Sequence, residues 1–178
     1  MPRYVAFLRA INVGGHTVKM DRLRGLFESL GLARVETYIA SGNVIFETAS
    51  RSAPALERRI EALLLGELGY EVATFLRTDA EVAAVAEHQA FPASKMKAAV
   101  AFNVGFLSEP LGREAQAKLL GYTTAMDAFH VHGREVYWLC RMGQSQSTFN
   151  NVSMERALRV RATFRGISTI RRLAANLG

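Results

Sequence analysis

The spacing of apolar residues switches between a period of two and a helical period in a fixed order, and that order runs along the chain twice. Tyr4-Val-Ala-Phe-Leu8 is an apolar run. It predicts a strand over Tyr4–Ile11, with Val5, Phe7 and Ile11 on one face and Tyr4, Ala6 and Leu8 on the other. Leu23, Leu26, Phe27 and Leu30 then recur at helical spacing, and Gly31 closes that helix. Val35–Ala40 and Val44–Glu47 are two short β-rich runs joined by Ser41-Gly-Asn43, a tight hairpin connection. Pro54 opens a helix to Leu68 with Leu56, Ile60, Leu63 and Leu64 as its apolar stripe. Tyr70–Arg77 is a fourth strand. The order β-α-β-β-α-β is the ferredoxin-like arrangement.

A helix over Asp79–His88 leads to Ala90-Phe-Pro-Ala-Ser-Lys-Met-Lys97, the expected linker between a first subdomain (1–89) and a second (98–178). Past it the pattern returns. Ala98–Leu107 reads as a strand and Leu111–Leu120 as a helix. Ala125–Val131 and Glu135–Leu139 are strands about the turn His132-Gly-Arg134. After the polar loop Met142–Asn150 a helix is expected at Val152–Val160. The last helix, Ser168–Leu177, stands where a fourth strand would complete the order. The fold class is therefore α+β, two ferredoxin-like subdomains with an extra helix ending the second.

Composition narrows the class without changing this picture. Of 178 residues, 49% are hydrophobic and 21% charged, which is globular and neither disordered nor membranous. No apolar run approaches the ~18 residues of a membrane span. The start lacks a leader pattern, and the single Cys140 allows no intrachain disulfide, so a reduced cytoplasmic setting is expected. Cys140 ends the apolar run Tyr-Trp-Leu and reads as a packing thiol. The net charge of +6 is confined to residues 141–178, where Arg141, Arg156, Arg159, Arg161, Arg165, Arg171 and Arg172 face Glu155 alone. Such a segment attracts phosphate backbones or serves as a solvated helix face.

Topology joins two of the turns. In a ferredoxin-like sheet the first and third strands are neighbours, so the loop after the first strand and the hairpin before the third meet at one end of the sheet. The loop offers Gly14-Gly15 before a helix N-terminus, a place where free N–H groups and the helix dipole suit an anion. Arg9, His16 and Lys19 add charge, and Asn12, Ser41 and Asn43 add neutral hydrogen bonds, with Gly42 letting the hairpin turn. The pattern is neither a phosphate-binding G-x-x-x-x-G-K-[ST] loop nor a dinucleotide G-x-G-x-x-G. The same residues also serve as plain turn chemistry.

Arg9-Ala-Ile-Asn-Val-Gly-Gly15 and Tyr38-Ile-Ala-Ser-Gly-Asn-Val44 together resemble domain of unknown function family 1697. That family's motifs have Gly where this chain has Ala10, and Gln where it has Ala40. The resemblance weakens toward the C-terminus. A Ser-Lys pair is replaced by Ser147-Thr148. Thr163-Phe-Arg-Gly-Ile-Ser-Thr169 keeps Thr163, Arg165 and Thr169 but lacks the family's Asn-Trp-Asn core. Arg165 joins the candidate ligand-binding residues on that ground. The resemblance implies a bacterial cytoplasmic α+β protein and brings no established activity.

Other constellations carry less. His130-x-His132 puts two imidazoles on one side of a strand end, but no cysteine or carboxylate clusters with them in sequence, so they read as solvent-facing and no metal ligand is assigned. No catalytic carboxylate pair or triad follows from spacing. Tyr4, Phe7 and Phe46 occupy the strands on which an RNA-recognition module carries its stacking aromatics, but the third strand lacks that module's signature, and the rings read as core. The expected function is binding of a phosphate-bearing small molecule or nucleic acid at the two turns, with no cofactor. The alternative is an enzyme acting on a small phosphorylated or carboxylated metabolite. A deep pocket favours the enzyme and an open basic groove favours nucleic acid. Oligomeric state does not follow from the sequence.

Overall fold

The computed structural model describes residues 1–12, 15–38, 42–141 and 150–178. They divide into two compact units, Met1–Ala83 with Leu173–Gly178, and Ala84–Arg172. The first holds β1 (Arg3–Leu8), α1 (Met20–Ser29), β2 (Ala33–Thr37), β3 (Asn43–Glu47), α2 (Ala53–Leu68) and β4 (Thr74–Thr78), after which α3 (Asp79–Glu87) begins. Its four strands form an antiparallel sheet in the order β2-β3-β1-β4, the ferredoxin-like order.

All five residues of the run Tyr4–Leu8 are buried, as expected for a central strand apolar on both faces. Tyr4, Ala6 and Leu8 pack with Leu23 and Phe27 of α1 and Leu56, Ile60 and Leu64 of α2. Helix α2 is defined at both ends. Ser52 Oγ accepts from Ala55 N–H at its start, Pro54 sits in the first turn, and Gly69 closes it at φ +81°. Two carboxylates of α2 reach the edge strand: Glu61 Oε2 accepts from Thr74 N–H and Glu57 Oε2 from Leu76 N–H, each at 2.9 Å. Amides of β4 that would otherwise template another strand are thereby paired. Thr78 and Glu81 cap α3 reciprocally, each side chain accepting from the other's N–H.

The second unit follows the same plan. After α4 (Ala93–Lys97) come β5 (Ala101–Leu107), α5 (Arg113–Leu120), β6 (Asp127–His132), β7 (Glu135–Cys140), α6 (Asn151–Leu158), β8 (Ala162–Gly166) and α7 (Ile167–Leu177). The strand order β6-β7-β5-β8 repeats that of the first sheet. The fourth strand is present, contrary to the expectation from sequence that a helix stands in its place. β8 escaped notice because Ala-Thr-Phe-Arg-Gly is only five residues long and its two buried positions, Ala162 and Thr163, are a small residue and a polar one. The extra helix then follows it. Cys140 is fully buried beside Trp138, Val136 and Met154, a packing thiol as expected. Glu155, the one acid in the arginine-rich segment, accepts from Ala162 N–H on β8, the counterpart of Glu57 and Glu61.

The division between units falls at Ala83–Ala84, ahead of the expected linker, and the stretch Ala93–Lys97 within that linker is helical. The earlier crossing has a local reason: His88, just past α3, stacks on side chains of β6 and β7. Residues 173–178 group with the first unit, where Arg3 Nη2 donates to Leu177 O at 2.7 Å. No helix among the described residues is long and apolar enough to cross a membrane.

Candidate functional site

In the first unit the hairpin glycine Gly42 lies against the end of β1 and Ile11 just past it. Leu8 N–H donates to Gly42 O at 2.8 Å. Gly42 has φ +82°, and a Cβ there would stand 3.0 Å from Ile11 Cγ2 and 3.2 Å from Leu8 O. Only glycine permits both that backbone angle and that approach.

Most polar groups at this end are turned to the chain itself. Asn12 Oδ1 accepts from Val18 N–H at 2.8 Å, closing the loop on the start of α1. Asn43 is buried and its Nδ2 donates to Tyr38 O at 3.0 Å across the hairpin. Tyr70 OH donates to Ile11 O at 2.8 Å, and the exposed His16 ring stacks on Tyr70 at 3.8 Å. Arg9 donates its backbone N–H to Ala73 O. Gly15 takes φ +82° with open space around its α-carbon. Ala10, where the resembled motif has glycine, holds the left-handed φ of +56°. Gly14 and Ser41 lie outside the described residues. Arg165 stands in the second unit on β8, where Nη1 donates to Thr163 Oγ1 at 2.8 Å and Phe164 O at 3.0 Å. Burial lowers its pKa to about 10, so it remains charged at neutral pH.

The second unit gathers chemistry that the sequence did not connect. His130 and His132 lie two apart on β6 and so share a face. They are not both turned to solvent as their spacing suggested, since His130 is half-buried and only His132 is exposed. Their partners across the hairpin are Tyr137 and Glu135 on β7. His88, whose N–H donates to Ala84 O as the helix ends, inserts its ring among them. It stacks on His132 with centroids 4.1 Å apart, and its Nε2 lies 3.0 Å from Nε2 of His130. One ligating nitrogen from each of the three lies within 4.8 Å of the others. Burial lowers the pKa of His88 and His130, and the charges of their neighbours in the cluster lower them further. The Tyr137 ring lies 5.2 Å from that of His88. Its hydroxyl is buried without a hydrogen-bond partner among the described residues, and burial pushes its pKa far above the ordinary phenol value. The pair His130-x-His132 was visible in the sequence. His88, 42 residues from His130, was not, since only the fold brings a helix end onto this strand.

Beside this cluster the second unit has an open cleft of about 870 Å³, lined among others by His88, Lys97, Asn103, Ser168 and Arg171. Lys97 comes from the end of α4 and Asn103 from β5, opposite Gly166 of β8. Ser168 lies in the first turn of α7, with Arg171 one turn on. Two cations, a helix start and small polar groups thus face one volume, with Glu87 the acid on its wall.

The sequence profile of a family described as "Protein of unknown function (DUF1697)" matches residues 1–137. The chain belongs to this family. The matched stretch takes in both turns of the first unit and all three histidines of the second, and ends before the arginine-rich helices. No curated protein matches the chain. The conserved bacterial protein SP0830 from Streptococcus pneumoniae has a solved structure similar to this DUF1697 protein, with a TM-score of 0.76 and 24% identity over 99% of each chain. That likeness concerns the fold.

Proposed function

We propose that this protein binds a phosphate-bearing ligand in the cleft of its second unit. The observation that carries the reading is the lining: Lys97, Arg171 and the N-terminal turn of α7 converge on a volume of about 870 Å³, within the ~300–1,000 Å³ usual for small-ligand sites. Free N–H groups at the start of a helix and flanking cations are the standard means of holding phosphate. The ligand class is the one the sequence suggested. What favours the cleft over the turn pair is the use of the polar groups, since Asn12 and Asn43 are engaged in closing their own loops. The turn pair stands as the second reading because Gly15 is open and Gly42 adjoins the first loop.

The test is thermal unfolding with inorganic phosphate, mononucleotides and a short single-stranded oligonucleotide, for the wild type, Lys97→Ala/Arg171→Ala and Arg9→Ala. A ligand at 100 times its Kd stabilises by about 2.7 kcal/mol. The expected result is anion-dependent stabilisation that the double variant loses and Arg9→Ala keeps. The opposite pattern moves the site to the turns. A response to the oligonucleotide alone assigns nucleic acid as the source of phosphate. Equal curves throughout overturn the reading.

A further inference from the structure

We propose that His88, His130 and His132 form a binding site for a divalent transition-metal ion of the zinc type. The argument is geometric. A tetrahedral ion with bonds of about 2.0–2.1 Å to imidazole needs its ligating nitrogens about 3.4 Å apart. His88 and His130 already present theirs at 3.0 Å, and the third lies within 4.8 Å of both. The remaining difference is small on the scale of imidazole rotation about the side-chain bonds. The backbone itself is well placed to hold them. His130 and His132 project from one face of a strand paired through the whole hairpin to β7, and His88 is anchored by the last hydrogen bond of a helix.

The grouping has little to recommend it as packing alone. An Nε2–Nε2 approach of 3.0 Å is satisfied only when one ring donates and the other accepts. The third ring merely stacks on the first. A shared ion gives each ring a use for its lone pair at once. The donor set selects the ion. Three neutral imidazoles suit zinc, copper, nickel and cobalt, whereas magnesium and calcium require oxygen donors. Three protein ligands leave the fourth position of a tetrahedral ion to water or a bound molecule, the pattern of an open site. His88 also lines the cleft, yet ion binding does not depend on the cleft's being filled.

The experiment uses untagged full-length protein, stripped with chelator and titrated calorimetrically with Zn²⁺, with Mg²⁺ as a control. Cu²⁺-loaded protein is studied by electron paramagnetic resonance and electron spin-echo modulation, which count coordinated imidazoles. The expected result is one Zn²⁺ per chain, no Mg²⁺ binding, and modulation from three imidazoles. His88→Ala, His130→Ala and His132→Ala should each weaken Zn²⁺ binding at least about tenfold, while His16→Ala, in the first unit, leaves it unchanged. A variant that does not fold is replaced by glutamine at the same position, and the wild-type copper signal decides without any variant. No stoichiometric Zn²⁺ binding, a signal from fewer than three imidazoles, or binding that survives replacement of all three histidines overturns the proposal.

Discussion

The two units run the same elements in the same strand order, but they use their polar residues differently. In the first, polar groups go to closing turns: Asn12 holds a loop onto α1, Asn43 holds a hairpin, and Gly42 lets that hairpin lie against Leu8 and Ile11. In the second, the corresponding hairpin between β6 and β7 turns on Gly133, which has φ +58° and no atom within 4 Å of where a Cβ would stand. Its polar groups instead line an open volume and a histidine cluster. A shared topology thus carries two different arrangements of polar groups. The fold alone does not say which end acts, because function resides in the groups a fold displays.

The largest expected effect tests how the second sheet is tied. Asp127 is buried at the start of β6, and its Oδ1 accepts from Trp138 Nε1 at 2.8 Å. Its backbone N–H is held by Thr124 Oγ1. Asp127→Ala removes the carboxylate that accepts from a buried indole and should cost about 3 kcal/mol, while Asp127→Asn, which keeps an acceptor, costs less. Trp138 is the only tryptophan in the chain, so urea unfolding followed by its fluorescence reports on this unit. A shift confined to fluorescence, with the circular-dichroism transition lagging, would show units that unfold separately. An unchanged midpoint would deny Asp127 its structural role.

The next pair compares the two hairpins directly. Gly42→Ala meets a left-handed backbone and a carbonyl 3.2 Å from the new Cβ, and the two penalties together come to about 3 kcal/mol. Gly133→Ala meets the backbone penalty alone, about 1 kcal/mol. Denaturation midpoints that fail to separate the two variants would remove close packing as the reason for glycine at position 42.

The same contrast explains what the sequence disclosed. β1 was legible because its run of five apolar residues admits little else, and the approach of the hairpin to the end of β1 followed from strand order alone. β8 was not legible, because it is five residues long, one of its two buried residues is the polar Thr163, and it ends in glycine. Periodicity registers apolar faces and is silent on polar groups buried with their own partners. The histidine cluster was half visible. His130-x-His132 shows in any strand reading, but the third ring arrives through tertiary structure, and no local spacing records that. The cleft was the least visible, since its walls come from α4, β5 and α7, and the family profile ends before the last of these.

The smallest expected effect is a gain, and it probes the strained end of the first unit. Ala10 sits at φ +56° immediately after Arg9, between β1 and the glycine loop. An alanine in that region carries about 1 kcal/mol or a little more of steric cost, because its Cβ crowds the following carbonyl. Glycine removes the cost but gives the unfolded chain more freedom, about 0.5–1 kcal/mol in the opposite sense. Ala10→Gly should therefore raise stability by no more than about 1 kcal/mol, read as an upward shift of the urea midpoint with an unchanged slope. Ala6→Gly, in extended β1, has only the entropic and packing loss and must destabilise. If both substitutions destabilise alike, the left-handed turn at residue 10 is not strained, and the first loop owes its shape to Asn12 and Tyr70 rather than to the backbone at position 10.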